Sequence, residues 1–322
     1  MEINRIPVVM ICDQNFIMQT CVAIESLYRN KLTSTDYDVY ILLVNRDEAS
    51  EKMLTGLCRK DLSINIVGVD LKRYQGIKQL AHVPLASCLK FDISDLIPQY
   101  DKLLYLDGDI IVRQDLGELY ETELADNYVA GIPHSLGIIT GERKLNGGVL
   151  LFNAKKIREE KLRDVFIETR LSMGDRKSMD QETFHKVFGN QKVYLAPKYN
   201  VMIDKVDYEK KYYSIKEYNC FYGADYKSRK EIVDSAVIIH FTGSIKPWKY
   251  SFAVCGKEWQ KYYQFLYGDV SVLRLKGRVT FYEEQISEKG IRSIYWILKD
   301  KMLGILGEVF HVFPDKSHGE WN

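Results

Sequence analysis

The 322 residues contain no Cys-x-x-Cys pair, no Gly-x-Gly-x-x-Gly turn and no Walker-type phosphate loop. The first absence argues against a zinc site or a redox dithiol. The other two mean that any nucleotide phosphates must be held in another way, and a metal ion is one such way. No apolar run is long enough to span a bilayer, and no signal-peptide pattern precedes the first apolar segment. There is almost no charge imbalance: the formal net charge is +1, so nothing global points to nucleic acid. The six cysteines are scattered and several sit in apolar surroundings, as in Ile11-Cys12. Reduced core thiols and a cytoplasmic location are therefore expected, with membrane contact at most peripheral.

What the chain has is a strand with acid at its end. Leu103-Leu104-Tyr105-Leu106-Asp107-Gly108-Asp109-Ile110-Ile111-Val112 places apolar residues on both sides of two carboxylates. Such a run reads as a buried strand of an α/β sheet, and two aspartates two apart share a face of an extended chain. Two poorly solvated anions require positive charge, most naturally an oxygen-loving divalent cation such as Mn²⁺ or Mg²⁺. Gly108 lets a ligand approach the backbone. Taken alone, the pattern also fits an aspartate-nucleophile phosphatase or a pair of loop caps.

The preceding chain alternates strand and helix: strands at 6–12, 37–44 and 63–69, helices at 16–28 and 49–60, and a further helix at 89–97. That order predicts a mostly parallel, nucleotide-binding sheet, with ligands beyond the carboxyl ends of its strands. Asp13 and Asn15 lie at such an end, placed either for a base or ribose or as helix caps. Residues 71–88 form a connection long enough to be a lid. Further strands are expected at 126–133, 149–152, 193–196 and 236–241, with helices at 154–170, capped by Asn153, and from Asp180 to Phe188. The paired Gly147-Gly148 permit a close backbone approach. Residues 198–231 are rich in tyrosine and read as an excursion over the ligand edge, either an acceptor platform or surface packing. His240 ends a strand and is followed by Gly243 and Lys246. An imidazole suits Mn²⁺, and a glycine N–H with a lysine suits a phosphate.

Five segments in order resemble the retaining glycosyltransferases of family eight, over roughly residues 5–265. They are Val9 to Phe16, Tyr100 to Asp109, Leu145 to Asn153, Asp180-Gln181, and His240-Phe241-Thr242-Gly243-Ser244-Ile245-Lys246-Pro247-Trp248. The resemblance implies a GT-A fold, a UDP-sugar donor, Mn²⁺ or Mg²⁺, and a glycan or glycolipid acceptor. It implies Asp107, Asp109 and His240 as metal ligands. Ile11, Asp13, Asn15, Phe16, Gly108, Gly243 and Lys246 would bind the nucleotide. Lys90, Asn146, Gly147, Asp180 and Gln181 would meet the donor sugar, with Asp180 and Gln181 as the catalytic pair. Many family members carry an arginine where this chain has Lys90, and lysine lacks the bidentate fork.

The expectation is then a GT-A catalytic domain at 1–265 and a helical extension at 266–322. In the extension, Ile291, Ile294, Leu298, Met302, Ile305 and Val309 recur at helical spacing. The helix at 290–313 reads as a contact with the inner face of the plasma membrane, as core packing, or as a partner surface. The expected function is transfer of galactose or glucose from a UDP-sugar to a bacterial cell-envelope glycan. The alternative is a catalytically silent sugar-nucleotide-binding subunit of a glycan assembly complex.

Overall fold

A computed structural model describes residues 4–77, 85–174, 180–208 and 212–289. The chain divides into two compact units. The first comprises residues 1–134, 143–200 and 236–240, the second 135–142, 201–235 and 241–322.

In the first unit, β1 (Asn4–Cys12), β2 (Thr35–Val44) and β3 (Leu62–Val69) pair in parallel, joined by helices Ile17–Arg29 and Glu48–Thr55. Their near-continuous apolar runs bury β1 and β2 on both faces, as a helix-covered parallel sheet requires. The sheet continues through β4 (Lys102–Leu106), β5 (Ile110–Val112) standing apart from it, then β6 (Val129–Pro133), β7 (Leu145–Asn153) and β8 (Lys192–Tyr194). The seven strands run in the order β3-β2-β1-β4-β7-β6-β8. Four of the six pairings are parallel, and β7 is antiparallel to both neighbours. The expected mostly parallel sheet flanked by helices is present.

Three expected elements are broken, each for a reason. The stretch from Leu103 to Val112 is not one strand. After β4 the chain leaves the large sheet, and β5 pairs antiparallel with β10 (Ile238–His240), which follows β9 (Val201–Met202) in the chain. Ile110 stands opposite His240 in that ladder. Asp107-Gly108-Asp109 is thus the crossover between two sheets, and it is this change of partner that brings the acids to the histidine.

The helix expected at 154–170 is two helices, Ala154–Glu159 and Leu162–Ser172, separated by Lys161 at φ 54°. Ile157 and Phe166 are both buried. Nine residues apart, they would sit on opposite faces of an unbroken helix, so the break lets both reach the core. Asn153 does cap the first helix, accepting from Lys156 N.

The helix expected at 89–97 is a 3₁₀ segment, Leu85–Phe91, followed by one turn, Ile93–Leu96. Between them the buried Asp92 accepts from Tyr74, Arg73 and Arg163. An aromatic layer of Phe91, Phe166, Phe184 and Phe188 packs beneath this segment at ring separations of 5.2–5.4 Å.

In the second unit the tyrosines pack on one another. Tyr218 lies 4.5 Å from Tyr222 and 6.1 Å from both Tyr213 and Tyr226, ring centre to ring centre, and Tyr213 and Tyr218 are buried. Helix Ile215–Tyr222, which carries Tyr218 and Tyr222 of this cluster, opens with a reciprocal capping box between Ser214 and Glu217. Helix Gly256–Tyr267 buries Trp259, Tyr262 and Tyr263. The amphipathic pattern at 290–313 and residues 78–84 of the expected lid lie outside the described residues. No helix among the described residues is long and apolar enough to cross a membrane.

Candidate active site

The crossover after β4 and the end of β10 converge. His240 Nε2 stands 3.2 Å from Asp109 Oδ1 and 3.7 Å from Asp107 Oδ2. One ligand atom from each of the three residues falls within 4.8 Å of the others. The backbone enforces this geometry: Asp107 N donates to Gly148 O at 2.8 Å, extending the β4–β7 ladder one residue past the strand. A Cβ on Gly148 would overlap the His240 ring and come within 2.9 Å of Asp107 Oδ2. Gly108 packs as closely against the helix opposite, where a Cβ would stand 2.8 Å from Thr20 Oγ1 and 3.1 Å from the Phe16 ring. Two carboxylates and an imidazole around a notch that only glycine can line suit a hard or borderline divalent cation.

The other oxygen of Asp107 is already engaged. Tyr105 donates its hydroxyl to Asp107 Oδ1 at 2.5 Å, and Lys90 Nζ lies 3.6 Å from the same atom. That leaves Oδ2 on the side of His240. Burial, and after it the negative charge of Asp107, holds the Tyr105 hydroxyl far above the ordinary phenol range, so it remains a donor. Lys90 also reaches Asp180 Oδ2 at 2.6 Å, and its Nζ lies 4.7 Å from the centre of the Tyr105 ring. Burial works against its charge, but Asp107 and Asp180 outweigh burial and raise Lys90 above the ordinary lysine value. A Cβ on Gly147 would stand 2.6 Å from Asp180 Oδ2, 3.1 Å from Lys90 Nζ and 3.3 Å from Gln181 Cγ. Gly147, Lys90, Asp180 and Gln181 therefore form one cluster beside the acidic pair. The lysine in place of an arginine is aimed at two carboxylates.

Asn146 is buried and accepts from Gly148 N at 3.0 Å and from Asn200 Nδ2 at 2.9 Å. Asp13 is a cap, accepting from Asn15 N at 2.9 Å at the start of the turn Gln14–Phe16. The Asn15 side chain is exposed, Phe16 is half-buried, and Ile11 lies in β1 opposite Leu42. In the second unit, Gly243 lies against Asp204, which accepts from Thr242, while Lys246 donates to Phe241 O.

Two residues of the site escape a reading of the sequence. Tyr105 stands in β4 two residues before Asp107, but looks apolar among leucines. Asn200 has no local signal at all, following a 3₁₀ turn, Pro197–Tyr199, in a tyrosine-rich stretch.

The family model described as "Glycosyl transferase family 8" matches residues 7–251. The chain belongs to glycosyl transferase family 8. Glycosyltransferase GlyD of Streptococcus pneumoniae serotype 4 is 29% identical over 261 residues, 75% of this chain and 28% of that protein. The chain thus spans under a third of the length of GlyD. Lipopolysaccharide 1,2-glucosyltransferase of Escherichia coli is 25% identical over 255 residues, 73% of this chain and 71% of that one. The crystal structure of the galactosyltransferase LgtC with donor and acceptor sugar analogs superimposes with a TM-score of 0.67 at 22% identity. It covers 81% of this chain and 96% of LgtC, and it shows that the fold is GT-A. The chain thus combines membership of this family with the GT-A fold.

Proposed function

We propose that this family 8 glycosyltransferase moves a hexose, galactose or glucose, from a UDP-sugar to a bacterial envelope glycan, with retention at the anomeric carbon and a bound Mn²⁺ or Mg²⁺. The observation that carries the reading is the convergence of Asp107, Asp109 and His240 within 4.8 Å. Two similar proteins, one a glucosyltransferase and the other a galactosyltransferase, support the choice of sugars.

Asp107 Oδ2, an Asp109 oxygen and His240 Nε2 would hold the cation. When bound, it supplies positive charge against the leaving diphosphate. Lys246 and the Gly243 N–H would add to that charge, and Ile11, Asp13, Asn15 and Phe16 would hold the uridine. On the sugar side, Lys90 fixes Asp180 next to Gly147 and Gln181. As the glycosidic bond breaks, the sugar becomes oxocarbenium-like. Asp180 and the Gln181 amide oxygen would stabilise that charge, while the neutral amide is a poor nucleophile. Lys90 stands between Asp180 and Asp107 and so offsets the repulsion between the two carboxylates.

The test is UDP release from a panel of UDP-sugars, with Mn²⁺ and with chelator, by the parent and by Asp109→Ala. Release by the parent with one hexose donor, dependent on Mn²⁺ and lost in Asp109→Ala, is expected. An Asp109→Ala variant as active as the parent would sink the reading.

A further inference from the structure

The direction of one buried hydrogen-bond chain can be fixed from its backbone end. Gly148 N–H can only donate, so the Asn146 atom 3.0 Å from it is the amide oxygen. The Asn200 atom 2.9 Å from that same oxygen must then be the donor, Nδ2. This orients Asn200 Oδ1 toward His240 Nδ1, 2.9 Å away. An amide oxygen only accepts, so in the neutral form, the one able to ligate a cation, the imidazole carries its single proton on Nδ1. Nε2 is left with a lone pair, 3.2 Å from Asp109 Oδ1 and 3.7 Å from Asp107 Oδ2.

The opposite tautomer would make Nε2 a hydrogen-bond donor to Asp109 and close the site as an acid–histidine pair with no ligand atom to offer. It would also set the bare Nδ1 against an amide oxygen. Asn146, Asn200 and His240 are 5%, 1% and 3% exposed, so a mismatched pair among them has no water to turn to. Reversing the chain would strand the Gly148 N–H as well.

We propose that Asn200 is a positioning residue for cation binding, holding His240 as the Nδ1–H tautomer with Nε2 as the ligand. Through the same amide it commits Asn146 Oδ1 to the protein, so that Asn146 presents only its Nδ2 hydrogens to a substrate oxygen. The cation site and Asn146 are thereby set by one relay anchored on a backbone N–H of β7. The proposal rests on the cation-binding reading of the Asp107, Asp109 and His240 cluster.

The experiment uses the whole chain, stripped with chelator, as parent, Asn200→Leu and Asn200→Asp. Nitrogen-15 histidine spectra of the metal-free parent, assigned with His240→Gln, read the tautomer directly, and Nδ1–H is expected. Mn²⁺ affinity, read from the resonance signal of free Mn²⁺, should fall about 10- to 100-fold in Asn200→Leu. In Asn200→Asp the carboxylate still accepts from Nδ1 but sets a second acceptor against Asn146 Oδ1, so the Nδ1–H tautomer of His240 is kept while the Asn146 half of the relay is lost. An Nε2–H tautomer in the parent overturns the proposal. So does a folded Asn200→Leu that binds Mn²⁺ as the parent does. If Asn200→Leu does not fold, the spectra decide: an Nε2–H tautomer in Asn200→Asp, where the acceptor facing Nδ1 is retained, also overturns it. A parent that binds no Mn²⁺ sinks the cation-binding reading instead, and the relay still stands or falls on the metal-free spectra.

Discussion

Lys90 and Asp180, ninety positions apart, form an ion pair of 2.6 Å in which the side chains are only 6% and 4% exposed. Neither has much water to fall back on, so each depends on the other. Asp107 at 3.6 Å gives Lys90 a second carboxylate partner.

Removing the lysine should therefore be costly. Lys90→Met is expected to lose about 3–5 kcal/mol of stability, the usual consequence of orphaning a buried charge. Adding Asp180→Asn to that variant should recover much of the loss, because the orphan is then neutral. Lys90→Arg retains the charge and should cost less than Lys90→Met. Urea denaturation of the four proteins measures this, and a loss below about 1 kcal/mol in Lys90→Met would show that the pair is not coupled as its geometry implies.

How far the site could be read from the chain depends on how its members are joined. The alternation of strands and helices up to Val69, the helix from Asp180 and the strand ending in His240 were legible, since each is set by local pattern. The crossover at Gly108 was not, because the residues that pull β5 out of the sheet, Ile238–His240, lie more than 120 positions away in sequence. The pairing of Lys90 with Asp180 and the link from Asn200 to His240 were hidden for the same reason: neither leaves a mark in neighbouring residues. The broken helix at Lys161 was hidden differently. Its residues favour helix throughout, and only the need to bury both Ile157 and Phe166 interrupts it.

A methyl group at Gly148 should damage the cation site more than the fold. The added Cβ meets the His240 ring and Asp107 Oδ2, both ligand groups of the proposed cation. Overpacking of this kind costs about 1–3 kcal/mol of stability, while a ligand displaced by an ångström can cost about 100-fold in rate. Gly148→Ala should thus fold, with weakened Mn²⁺ binding and UDP release. Gly277→Ala, where a Cβ meets nothing within 4 Å, is the control. Calorimetric titration with Mn²⁺ compares them, and equal affinities would remove Gly148 from the site.

The tyrosine-rich stretch can be assigned to packing or to acceptor contact by one substitution. Tyr218 is 3% exposed and its ring contacts three other tyrosines. Tyr218→Ala should cost about 3–5 kcal/mol, as aromatic truncations in a core do. Tyr212, 41% exposed, should tolerate the same change with a far smaller loss. Urea midpoints of the two variants decide. A Tyr218→Ala protein as stable as the parent would return these rings to the role of a platform for sugars.

The buried thiols give stability a pH dependence with a defined sign. Burial is the main cause that pushes both Cys12 and Cys88 up to about 12. An unfolded thiol titrates near ~8.5. Above that pH the unfolded chain has released a proton that the folded chain retains, so stability falls as pH rises from about 8.5 toward the folded value, by about 1.4 kcal/mol per pH unit for each thiol. Other groups titrate in the same range: burial lowers Lys102 and Lys192, which would slope the other way. The comparison that isolates a thiol is therefore parent against Cys88→Ala, in reducing buffer between pH 8.5 and 9.5. The variant should start less stable, because a buried side chain is lost, but its stability should decline less over this range, by about 1 kcal/mol, since the unfolded thiol is only half ionised at its start and the slope approaches about 1.4 kcal/mol per unit above it. Parallel lines for the two proteins would mean that Cys88 ionises as readily in the folded chain as in the unfolded one, and that the segment Leu85–Phe91 opens to water far more often than its burial indicates.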